Sequence, residues 1–147
     1  MKKFQFPLER VMQLRQTQAR VEAARLAELQ VELQRLQQRQ TALWQDLERE
    51  RQALLDAPER SGAELAAMER FEDATRARSR DLDGQCADCR ERIRHQTSIT
   101  ADRRREARLL ERLKERRLAT WQSAYDRELQ EQAEEAHLAR QYGAVRL

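Results

Sequence analysis

Leucines recur along the first third of the chain at alternating steps of three and four. Leu26, Leu29, Leu33, Leu36, Leu43, Leu47 and Leu54 form the run, and Gln40 and Glu50 fill its two gaps. That spacing is the heptad signature of a helix burying one narrow stripe against a partner helix. Upstream, Val11, Leu14 and Val21 keep three-four spacing on a shifted phase. A stutter is therefore expected there, with a local change of supercoil. A second, more polar stripe runs through Leu65, Met68, Glu72, Thr75, Ser79, Leu82, Cys86, Cys89, Ile93, Gln96, Thr100, Arg103, Ala107 and Leu110. Gly84 lies inside it and costs about 1 kcal/mol relative to alanine. The stripe keeps its phase across Gly84, which favours one unbroken helix over a broken one.

Between the stripes lies the stretch from Leu55 to Gly62, with Pro58 and Gly62 as closely spaced helix breakers. The pattern predicts a first helix over about 8–55, a turn over about 56–62 and a second helix over about 63–142. Pro7 suits the first turn of a helix, where its missing N–H costs nothing. Ser61 followed by Glu64 reads as a capping box. The fold class expected is all-α: one coiled-coil domain over 1–147, an antiparallel hairpin of two long helices, the second longer. Centring the turn between Pro58 and Glu59 puts residue i opposite 117 − i. Leu8 then faces Leu109, Cys86 and Cys89 face about Val31 and Glu28, and Trp44 and Phe71 share a level. Helix 2 would outrun helix 1 by about thirty residues, or roughly 45 Å at 1.5 Å per residue. That overhang carries Leu118, Trp121, Tyr125 and Leu129, and an apolar stripe without a partner helix is a candidate docking surface.

Composition narrows the function classes. Of 147 residues 37% are charged and 5% aromatic, with 3 Gly and 2 Pro, so the chain can bury a stripe but not a thick core. The net charge of +3 is too mixed to argue for nucleic acid. No apolar run follows the opening residues and none approaches the roughly 18 residues of a membrane span. Without an export signal, and with two cysteines, a reducing cytoplasm is the expected setting.

Candidate chemistry is sparse. Cys86 and Cys89 have CxxC spacing, but a redox site needs a strand–helix context and a zinc site two more ligands, of which His95 is one candidate. Both cysteines fall on the seam, so they read first as small hydrophobes in a coiled-coil layer. His95 and His137 stand alone, and no nucleophile set or phosphate loop can be built. Two helices enclose no cavity, so catalysis, a metal and a cofactor are not expected. Between residues 101 and 117 there are eight basic and four acidic side chains. A basic zipper would need leucine heptads downstream, yet Asp126, Glu128, Glu131, Glu134 and Glu135 follow. A solvated face is the first reading, a docking surface for an acidic protein the second, nucleic acid the last. Trp44 and Phe71 each sit one position off the seam and read as edge packing or as exposed anchors for a partner.

The opening FQFPLERVMQLR, from Phe4 to Arg15, resembles the start of the FliJ family of flagellar export proteins. RLLERLKERR, from Arg108 to Arg117, and EQAEEAHLAR, from Glu131 to Arg140, are similar to its later segments, so the likeness spans nearly the whole chain. The resemblance implies a non-enzymatic cytoplasmic component of the flagellar type III export apparatus, peripheral at the inner membrane. It implies a coiled-coil stalk, monomeric in isolation and without direct membrane insertion. Its partners would be the export ATPase ring, the cytoplasmic part of the export gate and the export chaperones. Gate binding is implied midway along the hairpin, at Leu43, Trp44, Leu47, Phe71 and Thr75. Binding to the ATPase ring is implied at the end with both termini, at Leu8, Val11, Arg15, Arg103, Arg104, Arg108 and Arg112. The stalk of an injectisome is the neighbouring alternative.

Overall fold

The structure, a computed structural model, describes residues 2–145 as two helices, α1 (Glu9–Asp56) and α2 (Gly62–Ala144). They pack against each other as an antiparallel helical hairpin, the second helix the longer, with no strand among the described residues. The local signals work as expected. Pro7 lies in the turn that opens α1, where the Glu9 N–H donates to the Phe6 carbonyl at 3.1 Å. The capping box closes reciprocally: the Glu64 N–H donates to Ser61 Oγ at 3.2 Å and the Ser61 N–H to the Glu64 carboxylate at 2.8 Å. The Arg60 guanidinium donates to the Leu55 carbonyl at 2.9 Å, satisfying one of the carbonyls left open at the end of α1. α2 runs unbroken through Gly84.

The chain divides into two compact units, Arg20–Ala101 and Met1–Ala19 with Asp102–Leu147. The first holds the turn. In it the seam of α2 is covered where the pattern put it: Thr75, Ser79, Cys86, Cys89, Gln96 and Thr100 are buried. Facing them, Leu36 and Leu47 are buried and Leu26, Leu29, Leu33 and Leu43 half-buried. Leu65 is the departure, at 51% exposed. Leu36, Cys86 and Cys89 form one apolar cluster, packed round by Leu33, Leu82 and Ile93.

The register differs from the expected one. Thr100 Oγ1 donates to the Glu22 carbonyl, Gln40 to the Asp83 carboxylate and Arg51 to the Glu72 carboxylate, and each pair of numbers adds to 122 or 123. Residue i therefore lies opposite about 122 − i, five residues later than the symmetric turn predicts. The reason is the seam itself. This offset sets leucine against seam, which 117 does not: Leu54 against Met68, Leu47 against Thr75, Leu43 against Ser79, Leu36 against Cys86, Leu33 against Cys89. An offset of 117 would put Leu47 opposite Arg70. Burying a leucine is worth about 1.5–3 kcal/mol, whereas a half-exposed ion pair such as Arg51–Glu72 is worth about 0–1 kcal/mol. The layers therefore decide the alignment, and the five-residue link from Ala57 to Ser61 absorbs the difference.

In the terminal unit, Leu8 just before α1 and Arg15 within it are half-buried, Met12 and Ala19 are buried, and Val11 is 42% and Leu14 55% exposed. Val21, at the start of the turn unit, is also exposed, and Glu22 and Leu26 are half-buried. The covered positions of α1 thus keep one three-four phase, and the expected stutter is absent. The valines mislead because the true seam here uses a small residue, Ala19, and a glutamate whose backbone carbonyl accepts from both Gln96, at 3.2 Å, and Thr100, at 3.2 Å. The Lys114 ammonium pairs with Glu9 at 2.8 Å, so Lys114 rather than Leu109 lies beside the start of α1, and Leu109 is 61% exposed.

The lead before α1 also departs from expectation. Phe6 is buried, with the Arg117 guanidinium 5.9 Å from its ring centre. Phe4 tilts against Trp121 at 6.0 Å, Trp121 stacks on Tyr125 at 5.2 Å, and the Trp121 indole N–H donates to the Lys2 carbonyl at 3.1 Å. The stretch expected as a bare overhang therefore meets the lead at Trp121, with Tyr125 stacked on that indole. Every described residue from Leu129 to Val145 is exposed.

Candidate docking surfaces

The residues implied for gate binding separate into two kinds. Leu47 and Thr75 are buried, 1% and 3% exposed, and belong to a seam layer. Trp44 and Phe71 are exposed, but they share neither level nor flank. Trp44 lies opposite about Arg78 and Phe71 opposite about Arg51, seven residues or roughly 10 Å apart. Trp44 follows the seam leucine Leu43, whereas Phe71 precedes the seam residue Glu72. In an antiparallel pair those positions lie on opposite edges. Phe71 lines a groove with Ala53 and Leu54, while Leu43 lines a second groove with Ala42 and Leu82, and Trp44 lines neither. The expectation that Trp44 and Phe71 share a level does not hold, because the register differs from the symmetric one.

The residues implied for ring binding lie in the terminal unit and also separate. Arg15 and Arg103 both pair with the Glu106 carboxylate, at 3.3 and 3.2 Å. Leu8 is half-buried. Val11, Arg104, Arg108 and Arg112 are exposed, which leaves three guanidinium groups and one branched apolar side chain to meet a partner. Glu111 accepts from Gln16 of α1 at 2.8 Å.

The cysteines sit in the seam as read, but against Leu36 and Leu33 rather than Val31 and Glu28. The Cys89 thiol donates to the Leu29 carbonyl at 3.4 Å. Burial pushes the Cys89 thiol above its ordinary range; Glu32 adds to the push and Arg92 opposes it. A buried thiol held protonated is a packing group rather than a nucleophile. Among the described residues no group of three or more His, Cys, Asp or Glu side chains is placed to hold a metal ion. His95 instead lines an open groove with Arg25, Glu28, Glu32, Glu91 and Arg92. No described helix is long and apolar enough to cross a membrane.

The sequence missed the lead's docking on α2, because Phe4 and Phe6 stand outside any heptad. The one signal was three aromatics, Phe4, Phe6 and Trp121, in segments that the hairpin brings together. No family model, curated protein or solved structure matches the chain.

Proposed function

We propose that the chain is a FliJ-like, non-enzymatic stalk of the flagellar type III export apparatus. It works in the cytoplasm at the inner-membrane machinery and binds proteins. Its terminal unit docks in the export ATPase ring, its midpart meets the export gate, and it receives export chaperones. The observation that carries this reading is the antiparallel hairpin with a longer second helix, the architecture the resemblance implies. Two helices of this kind act through outer surface, by favouring one subunit state of a ring over another.

The geometry refines which side chains would serve. Ring contact belongs to Val11, Arg104, Arg108 and Arg112, because Arg15 and Arg103 are already held by Glu106. Gate contact on the seam's Trp44 edge belongs to Trp44, with Leu43 beside it; Leu47 and Thr75 act only by keeping that edge in place. The test is the hydrolysis rate of a purified hexameric secretion ATPase with and without the full chain. The rate should rise, and the triple variant Arg104→Glu, Arg108→Glu, Arg112→Glu should remove the rise while circular dichroism stays helical. An unchanged rate with the native chain refutes the stalk reading.

A further inference from the structure

Open grooves along the turn unit differ in charge. One holds Arg25 and Arg92 against Glu28, Glu32 and Glu91; a second holds Arg39 and Arg78 against Asp46 and Asp81. The second is balanced and the first keeps an excess of one acid, but each has two bases among its own side chains. The groove beside the turn, of about 390 Å³, is lined by Ala53, Leu54, Ala57, Ala67, Met68 and Phe71, with Glu50 and Glu64 and no base at all.

Glu50 is the uncompensated group. It occupies a seam position opposite Glu72, but Glu72 is held by both Arg51 and Arg76. Among the described residues Glu50 has no ion-pair partner. Between Glu50 and Asp73 there are seven acidic and three basic residues. Of those bases, Arg51 is tied to Glu72 and Arg60 to the Leu55 carbonyl. Glu64 accepts from the Ser61 N–H. A carboxylate left without a cation beside apolar surface favours a partner that brings one.

The floor specifies the partner's shape. Ala53, Ala57 and Ala67 leave room for another backbone to approach closely, and Phe71, 39% exposed, stands as the large apolar anchor. The groove lies between two helices and offers no open strand edge, so a third helix fits it best. The local excess of negative charge repels nucleic acid and anionic lipid alike.

We propose that this groove takes the apolar face of a basic amphipathic helix from a partner protein, with a lysine or arginine of that helix reaching Glu50. The groove shares Phe71 with the gate-binding set that the resemblance implies, lies on the edge away from Trp44, and does not need the ring or gate assignment to be right.

The probe is a short fluorescein-labelled helix built of leucine and lysine, titrated with the full chain and followed by fluorescence polarisation. Ala67→Trp, which fills the groove from an exposed helical position, and Glu50→Gln should each weaken binding about tenfold, with circular dichroism unchanged. Asp81→Asn removes the same charge from the neighbouring groove and should leave binding as it was. A matching helix of leucine and glutamate should not bind. Unchanged affinity in Ala67→Trp and Glu50→Gln overturns the proposal. So does equal weakening by Asp81→Asn, which would mean that net charge alone is sensed. Capture of the chain by phosphatidylserine vesicles would overturn the choice of a protein helix.

Discussion

Leu47→Ala tests the seam at its tightest layer. Leu47 is 1% exposed and lies opposite Thr75, 3% exposed. The substitution removes three buried carbons, or roughly 2.4 kcal/mol at about 0.8 kcal/mol each. A cavity term adds to this, but a two-helix layer is open at its edges and relaxes more readily than a closed core. The total should be about 3 kcal/mol, near the lower end for buried leucine to alanine. Urea unfolding followed by far-ultraviolet circular dichroism reads it directly. With a slope of about 1–3 kcal/mol per molar for a chain of this size, the midpoint should fall by roughly 1–3 M. The control is Leu14→Ala, at a side chain 55% exposed, which should cost no more than about 0.5 kcal/mol. If Leu14→Ala proves as damaging as Leu47→Ala, the shifted stripe through Val11, Leu14 and Val21 is the packed one, and the continuous seam is wrong.

Two further outcomes follow from the same geometry. With Cys86 and Cys89 both replaced by alanine, Leu47→Cys with Thr75→Cys should close under a short bifunctional thiol reagent, whereas Leu47→Cys with Arg70→Cys should not; the reverse result would restore the symmetric register. Phe6→Ala should release residues 2–7 from α2, read as a red shift of Trp121 emission in a Trp44→Phe background, and no shift would mean that the lead does not shelter the indole.

From Met68 onward the seam of α2 was legible residue by residue, even where it turns polar at Thr75, Ser79 and Gln96, because a three-four alternation survives changes of residue type. The alignment of the two seams was legible too, though not from the turn. Two heptad stripes mesh only at offsets seven apart, here 115 or 122. The shorter would leave too little chain between Asp56 and the start of α2, so 122 follows. Placing the centre of symmetry at Pro58 ignored that condition, and the partners assigned to Cys86, Cys89, Trp44 and Phe71 were displaced with it. The stutter was misread for a related reason. Val11, Leu14 and Val21 are apolar, but Ala19 and Glu22 occupy the interface, one through small size and the other through its backbone. No periodicity could foretell the lead's docking, which depends on three rings meeting from distant segments.

The pairing of leucine on one helix with threonine, serine and cysteine on the other makes the two helices unequal in what they tolerate. In those layers α1 must supply bulk, whereas α2 must withhold it. Exchanges among Thr, Ser, Ala and Cys along the α2 seam should pass with little effect, while Leu or Phe at Thr75 or Ser79 would wedge the helices apart. A hydropathy profile, blind to that ceiling on volume, would class the very face that holds this fold together as one turned towards water.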